Sequence, residues 1–467
     1  MIIIKSLQPV VYEIRKKPIA FIFFVMHKQK FTNMLTRKNF IQHTAFATAG
    51  LSLFELTQPA KAAELKIHLE RIAGLEANNA AKDEEFWGWV REQYTTSPTI
   101  TNFNNGGVSP QPKQVQDAHI RNYQYCNEAP SYFMWRQLDL GREPLRAKLA
   151  ELAGCSPEEV AINRNTTEGL NSIIFGLNLK AGDEVVISNF DYPNMVNAWH
   201  QREKREGIKL NIVKLDLPIE NDEVFVEKFE KAITSKTKVV HITHVINWTG
   251  QILPVRKIAD MAHKKGCEVI VDGAHSFAHL NFKISDLGCD YFATSLHKWL
   301  CAPFGTGMMF VKKEKIKNIW PLLSAPEPES DDIRKFEGLG TRSFPAEMAI
   351  ANAIDFHLLI GSERKEARLR YLKNRWSEMA KTISKVQLFT SLKPEYSCAI
   401  ANFAIEGWKP EDIDAKLFEK WKIHVTTINH ENVHGVRVTP HVYTSLKDVD
   451  LLAKAIIEIT GMEPPKK

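Results

Sequence analysis

From Pro144 onward, short apolar runs alternate with longer stretches whose apolar positions recur at helical spacing. Runs such as Val269–Val271 are apolar at consecutive positions, which is typical of strands covered by helices on both faces. Strands separated by helices form βαβ units around a mainly parallel sheet, so the pattern predicts an α/β fold. The predicted strands are Val160–Asn163, Glu184–Ser188, Leu210–Leu215, Val239–His244, Glu268–Asp272, Tyr291–Thr294 and Met308–Val311; the clearest helices are Leu145–Ala153, Thr167–Leu177, Glu223–Ile233 and Val255–Lys265.

After Arg342 the pattern changes to one long helical stretch and then sparser strands, which predicts a second, smaller α+β domain. We divide the chain into an upstream extension (1–62), an N-terminal segment that packs with the small domain (63–115), a large domain (116–345) and a small domain (346–467). The elements predicted in the last part are helices Ala346–Ile383, Pro410–Trp421 and Leu446–Ile459, and strands Ala399–Ala404, His424–Ile428 and Gly435–Thr439.

Composition excludes several classes of protein. The 467 residues are 44% hydrophobic and 25% charged, which is ordinary for a globular chain and unlike a disordered or collagenous one. The net charge of +6 comes from the first 62 residues, since the remainder carries 52 basic against 53 acidic residues. We therefore expect no nucleic-acid partner. The six cysteines form no C-x-x-C pair, so we expect no metal site, and most should be small buried residues.

The N-terminal residues resemble a bacterial export signal. Arg37-Lys38 precedes a mild apolar stretch from His43 to Leu56, and Ala60-Lys61-Ala62 supplies small residues that suit signal peptidase. The basic pair resembles a twin-arginine signal in which lysine replaces the second arginine, so the export route stays open. We expect export, to a bacterial periplasm. No apolar run approaches the roughly 20 residues that span a bilayer, so we expect no membrane contact in the mature form.

Two segments carry the candidate chemistry. Asp272-Gly273-Ala274-His275 ends one predicted strand, and Ser295-Leu296-His297-Lys298 follows the next. A carboxylate and a lysine at neighbouring strand ends would meet in the crevice where open α/β sheets bind ligands. Taken singly, Asp272 could be a helix cap and Lys298 a solvated charge.

A D-x-A-H segment followed by S-x-H-K at this spacing resembles the pyridoxal-phosphate enzymes of fold type I, in the class V aminotransferase group. That group includes cysteine desulfurases and isopenicillin N epimerase, and the resemblance runs from about Asn102 to Tyr443. It implies a fold type I transferase with a large cofactor-binding domain and a small domain. It also implies that Lys298 forms a Schiff base with the cofactor aldehyde, and that Asp272 pairs with the pyridinium nitrogen.

The resemblance assigns roles to further residues. It implies a phosphate site at the helix start after Asn165, a substrate-carboxylate site at Arg437, and a homodimer in which Thr341 and Arg342 reach the neighbouring subunit's site. Singly, these residues could be helix caps, buried polar groups or surface ion pairs. The predicted cofactor-binding residues are Thr166, Thr167, Tyr192, Asn247, Asp272, His275, Ser295, His297, Lys298 and Thr341; the predicted substrate-binding residues are Arg437, Arg342, Asn105 and Gly107.

The reaction is predicted less sharply than the cofactor. Desulfurases of this group carry a nucleophilic cysteine on a loop shortly before the carboxylate-binding arginine, and residues 426–434 contain none. We therefore expect an aminotransferase or an epimerase of the isopenicillin N epimerase-like type, acting at the α carbon of an amino acid or small amine. A cysteine desulfurase or C–S lyase of the same fold remains an alternative, as does a non-catalytic binding protein. Sequence does not separate transamination from epimerisation.

Overall fold

The structure, a computed structural model, describes residues 59–465, with side chains from residue 64. The predicted export signal lies outside these residues, except that its last positions, 59–62, fall within a helix that spans Pro59–Ile72. Among the described helices, none is both long and apolar enough to cross a membrane.

Residues 160–311 contain a seven-stranded sheet. Its strand order is β2-β8-β7-β6-β5-β3-β4, and β8 alone runs against the direction of its neighbours. The predicted mainly parallel sheet is therefore confirmed, and β2, β3 and β6 begin and end at the predicted residues. The strands are β2 (Val160–Asn163), β3 (Glu184–Ser188), β4 (Lys209–Val213), β5 (Thr237–Thr243), β6 (Glu268–Asp272), β7 (Tyr291–Ser295) and β8 (Gly307–Val311).

Helices cover both faces of this sheet. Alternate residues of β6 enter different apolar clusters: Val269 and Val271 pack on one face and Ile270 on the other. This explains why the strand reads as one continuous apolar run. The helices up to the end of the sheet are α1 (Pro59–Ile72), α2 (Ala77–Ala80), α3 (Glu84–Glu92), α4 (Lys113–Glu128), α5 (Pro130–Arg136), α6 (Arg142–Ala153), α7 (Thr166–Gly176), α8 (Pro193–Glu206), α9 (Asp222–Ala232), α10 (Val255–Lys264) and α11 (Ile284–Leu287).

The C-terminal part carries a four-stranded antiparallel sheet with the order β12-β13-β10-β9. The prediction of one helix over Ala346–Ile383 is wrong: Gly361, with φ 86°, separates two helices, because that backbone conformation interrupts helical geometry. The sequence pattern also missed strand β9. The elements are α12 (Phe344–Ile360), α13 (Ser362–Lys381), α14 (Pro410–Trp421), α15 (Leu446–Thr460), β9 (Val386–Leu388), β10 (Ala401–Ile405), β11 (Ile423–His424), β12 (Thr426–His430) and β13 (Val433–Val438).

The N-terminal segment packs beside the four-stranded sheet, called the small sheet below. Strand β1 (Thr101–Asn102) pairs in parallel with β11, and Phe103 is fully buried in the apolar cluster that α13 and α15 form with the small sheet. Asn104 continues this contact in a bridge to Thr439. The segment 101–107 is thereby held beside β13.

Candidate active site

Residues at the carboxyl edge of the large sheet surround one cavity. Asp272 ends β6, Ser295 ends β7 and Thr243 ends β5, so the parallel strands bring all three to the same edge. This is where open α/β sheets bind ligands. The cavity has a volume of about 380 Å³. Of the residues predicted from the sequence, those that line it are Thr166, Thr167, Tyr192, Asn247, Asp272, His275, Ser295, His297, Lys298, Arg437 and Gly107.

Lys298 lies in a tight turn after β7. Its carbonyl accepts a hydrogen bond from the backbone N–H of Cys301 at 3.2 Å, and Cys301 has φ 60°, a conformation that non-glycine residues rarely adopt. Burial lowers the pKa of the Lys298 amine to about 8; the negative charge of Asp272 opposes this change and the positive charge of Arg437 adds to it. A lysine with a pKa near neutrality is available as a nucleophile or a base.

Asp272 is the acidic residue of the cavity. Its side chain is 3% exposed, and one carboxylate oxygen accepts the backbone N–H of Ala274 at 2.9 Å. Burial raises the pKa of this carboxyl, although the Ala274 N–H and the charges of His241 and Lys298 favour the anion. A cationic ligand group beside Asp272 would stabilise its charged form further.

The start of α7 forms an anion-binding cradle. The backbone N–H of Thr166 donates to the Ser295 hydroxyl at 3.0 Å, and the two hydroxyls lie 2.7 Å apart. His297 sits beside them, and its Nδ1 donates to the Thr306 carbonyl at 3.0 Å. Gly307 allows β8 to lie close to the backbone just before α7, because a Cβ at Gly307 would lie 2.7 Å from the backbone of Asn165. Hydroxyls, a helix N-terminus and an imidazole together suit a phosphate group.

Arg437, on β13, supplies a buried positive charge. It is 6% exposed, and its guanidinium donates to the Asn247 carbonyl at 3.1 Å and the Asn104 side-chain oxygen at 2.8 Å. Both acceptors are neutral, and within the described chain its Nε has no hydrogen-bond partner. Burial lowers the pKa of Arg437 to about 10, which still leaves it charged at neutral pH. A buried guanidinium of this kind can bind a carboxylate.

Asn247 and Tyr192 complete the predicted lining. Asn247 is 6% exposed, and among the described residues its side-chain oxygen has no hydrogen-bond partner. A ligand donor in the cavity could satisfy this oxygen. Tyr192 precedes α8 and is 39% exposed, so its ring is available for stacking against a ligand.

Three predicted residues do not line the cavity. Asn105 is fully buried behind it, where its side chain donates to the Thr439 carbonyl at 2.8 Å and accepts from the Tyr443 hydroxyl at 2.7 Å. Thr341 is exposed. Arg342 pairs with Glu347 at 2.9 Å and Asp139 at 3.1 Å. The role predicted for Thr341 and Arg342 concerns a neighbouring subunit's site, and it stays a prediction.

The sequence analysis did not select several lining residues. Thr243 donates to the buried carboxylate of Asp191 at 2.6 Å, which ties the end of β5 to the segment that carries Tyr192. This contact depends on β3 and β5 being neighbours in the sheet, so no local motif could reveal it. The other lining residues missed were Gly106, Asn165, Met195, Trp248 and Ala274, each of which lies within three positions of a predicted site residue.

The sequence is similar to known proteins over most of its length. The family described as aminotransferase class-V matches residues 101–452. An isopenicillin N epimerase of Amycolatopsis lactamdurans is 27% identical over 80% of this chain and 98% of its own length. A probable cysteine desulfurase of Halalkalibacterium halodurans is 31% identical over 68% of this chain and 81% of its own length.

The fold also matches solved structures. The apo structure of a cysteine desulfurase from Thermococcus onnurineus NA1 superimposes with a TM-score of 0.72 and 23% identity, covering 80% of this chain and 98% of that one. At this level of identity the likeness concerns the fold alone. The fold is that of the type I pyridoxal-phosphate enzymes expected from the sequence motifs.

Proposed function

The chain belongs to the class-V aminotransferase family, and on that premise we propose that it acts at the α carbon of an amino acid or small amine, as an aminotransferase or an epimerase. The observation that carries the proposal is the convergence of Lys298, Asp272 and Arg437 on one cavity. These groups can hold, respectively, an aldehyde, a cationic ring nitrogen and a carboxylate.

The cavity fits pyridoxal phosphate, the cofactor of this family. The cradle of Thr166 and Ser295 matches its phosphate, the carboxylate of Asp272 matches its ring nitrogen, and the unpartnered oxygen of Asn247 offers an acceptor for a further ligand group. When bound, this cofactor supplies an aldehyde that joins to amines and a ring that accepts the electrons released at the substrate α carbon.

The chain's own residues bind the substrate and move its proton. Arg437 binds the α-carboxylate through paired N–H donors and so orients the amino acid. The Nζ atom of Lys298, once free of the cofactor, takes the proton from the α carbon. Asp272 keeps the ring nitrogen protonated, because a buried carboxylate is stabilised by a positive charge beside it.

Transamination and epimerisation differ in where the proton returns. Epimerisation needs the proton to return on the opposite face of the α carbon, from a second base or water, whereas transamination can use Lys298 alone. Two histidines of the small sheet, His430 at the end of β12 and His434 on β13, lie outside the described lining of the cavity. His430 stacks on Trp248, with ring centroids 4.9 Å apart, and its Nε2 faces the Asn189 carbonyl at 2.7 Å. This arrangement supports transamination as the first reaction to test.

Persulfide-forming desulfurase chemistry has less support. All six cysteines fall within the described residues, and the cavity lining includes none of them. Burial raises the pKa of Cys398 to about 12, which opposes formation of a thiolate nucleophile. A C–S lyase without a cysteine nucleophile, or a binding protein without catalysis, stays as an outcome of the experiment.

The test is spectroscopic. We would record visible absorption of the purified protein with added pyridoxal phosphate, in wild type, in Lys298→Ala and in the control Lys257→Ala, whose lysine is 52% exposed and paired with acidic residues. A visible band in wild type and the control, altered in Lys298→Ala, is expected. Absence of any band in wild type would contradict the proposal.

A panel of L- and D-amino acids then separates the reactions. Transfer of the amino group to a 2-oxo acid identifies an aminotransferase, and loss of optical activity without transfer identifies an epimerase. Release of sulfide, pyruvate or alanine from cysteine would instead identify the desulfurase or lyase.

Export and dimerisation are separate proposals. We propose a periplasmic homodimer because residues 36–62 have the features of an export signal and because sites of this fold type usually lie between subunits. A mature protein that begins near residue 63 in the periplasmic fraction, with a dimeric mass by light scattering, is expected. A cytoplasmic protein that retains residues 36–62, or an active monomer, would contradict the respective proposal.

A further inference from the structure

Trp299 lies directly behind the candidate catalytic lysine. Its indole is fully buried and stacked between two histidine rings, His279 at a centroid distance of 3.8 Å and His441 at 5.6 Å. Its Nε1–H donates to Nδ1 of His275 at 3.3 Å. On the other side of the same imidazole, Nε2 of His275 lies 3.1 Å from Nζ of Lys298. The three side chains thus form a chain that ends in the cavity.

The indole of Trp299 fixes the donor and acceptor roles in this series of three side chains. An indole N–H can only donate, so Nδ1 of His275 must carry a lone pair. A neutral imidazole then has its proton on Nε2, which points at Lys298. That proton can be accepted by Nζ only when the lysine is a free amine, because an ammonium group has no lone pair.

We propose that Trp299 is a positioning residue: by fixing the tautomer of His275, it keeps the Lys298 amine unprotonated and ready to react. The inference deepens the proposed function, since it gives the lysine its reactive form. The tautomer of His275 and the protonation state of the Lys298 amine are nevertheless properties of the protein without any cofactor.

The charges around both groups agree with this assignment. Burial holds the pKa of His275 well below its ordinary value, and the ammonium form of Lys298, Arg437 and His279 each lower it further. Lys298 faces Arg437, Asp272 and His275; burial lowers its pKa, Asp272 favours the ammonium form and Arg437 opposes it. The hydrogen bond that Nε2 of His275 donates to Nζ favours the free amine of Lys298 and so opposes the effect of Asp272.

Removal of the indole donor releases the constraint. In Trp299→Phe an aromatic ring still fills the space between His279 and His441, but His275 can place its proton on Nδ1 and accept at Nε2 from a lysine ammonium. The pKa of Lys298 should then rise by about one pH unit, since one hydrogen bond changes sides. At neutral pH this means up to about tenfold less free amine.

The experiment measures the amine directly in the full chain freed of cofactor. The rate of Lys298 acetylation by acetic anhydride is followed against pH by peptide mass spectrometry, for wild type, Trp299→Phe and Trp87→Phe. Trp87 is the control, because it is also buried and its indole donates to the Ala80 carbonyl at 2.8 Å. We expect the pH profile to move upward only in Trp299→Phe.

The same Trp299→Phe substitution made in a His275→Asn variant separates an effect on the tautomer from a structural effect. In His275→Asn the imidazole is absent, so adding Trp299→Phe should move the profile no further. An unchanged profile in Trp299→Phe, or an equal shift in both backgrounds, would overturn the inference. If Trp299→Phe does not fold, ¹⁵N NMR of histidine-labelled wild type decides: an unprotonated Nδ1 in His275 supports the inference and a protonated one overturns it. Loss of cofactor uptake alone would contradict the proposed function and leave these readouts intact.

Discussion

Arg437 donates to the side-chain oxygen of Asn104 at 2.8 Å, although 333 positions separate the two residues. The contact joins β13 of the small sheet to the N-terminal loop that contains Gly106 and Gly107. Its acceptor is an amide, so the guanidinium keeps its full positive charge for a ligand. The loop therefore orients Arg437 without neutralising it.

Loss of Arg437 should weaken substrate binding. In Arg437→Gln the charged, paired hydrogen bonds to a carboxylate disappear, which should cost about 1.5–3 kcal/mol and raise KM about tenfold to a hundredfold. Steady-state kinetics with the best substrate of the panel measure this change. Arg437→Lys, which keeps the charge without the planar pair, should fall between wild type and Arg437→Gln. An unchanged KM in both variants would show that Arg437 does not contact the substrate.

A side chain at Gly106 should disturb Arg437. A Cβ there would lie 3.1 Å from the Thr439 side chain and 3.5 Å from the Arg437 guanidinium carbon, so Gly106→Val has no room. We expect its KM to rise towards that of Arg437→Gln. Gly88→Val, on α3, is the matched control, because a Cβ there would meet no atom within 4 Å, and it should behave like wild type. Equal kinetics in Gly106→Val and wild type would contradict the role of the loop.

Asp272→Asn should keep the shape of the cavity but lose the negative charge beside the ring nitrogen. Because a neutral amide does not favour a protonated ring nitrogen, we expect kcat to fall by about a hundredfold or more while the protein still binds pyridoxal phosphate. Kinetics and equilibrium dialysis measure the two effects separately. Asp191→Asn serves as a comparison, since Asp191 is also buried but accepts from Thr243 and Ser188. A similar kcat in Asp272→Asn and wild type would remove Asp272 from the mechanism.

Lys365 should make stability depend on pH in the alkaline range. It is 3% exposed and donates to the Trp299 carbonyl, and burial lowers its pKa from 10.5 to about 8. Between these values only the unfolded chain holds the proton, so the free energy of unfolding of wild type rises with pH, by up to about 3 kcal/mol for this lysine. Below about pH 8 both states are protonated and this contribution is constant.

In Lys365→Met the free energy of unfolding should rise less steeply with pH, and the difference in slope should be the contribution of about one titrating lysine. Urea unfolding at several values between pH 7.5 and 10 measures it, with the exposed Lys257→Met as the control. An identical pH dependence in Lys365→Met and wild type would show that the pKa of Lys365 is not lowered.

Local sequence motifs predicted much of the site. Asp272, Ser295 and Lys298 follow strands whose apolar runs are recognisable, and the carboxyl ends of parallel strands meet at one edge. Thr166 was predictable because a phosphate cradle needs a helix start directly after a strand. Most of the large sheet followed from its apolar runs, since strands covered on both faces are apolar at nearly consecutive positions.

The sequence by itself determined the strands of the large sheet, the family and most of the residues that line the candidate site, because these depend on short segments. Only the tertiary structure decided the Asn104–Arg437 contact, the Thr243–Asp191 bond and the Trp299–His275–Lys298 chain. Each joins segments whose distance depends on how sheets and helices pack, and an indole beside an imidazole has no signature in a linear pattern. The tertiary structure also decided the division of the helical stretch at Gly361, since the left-handed conformation of Gly361 arises where two packed helices change direction.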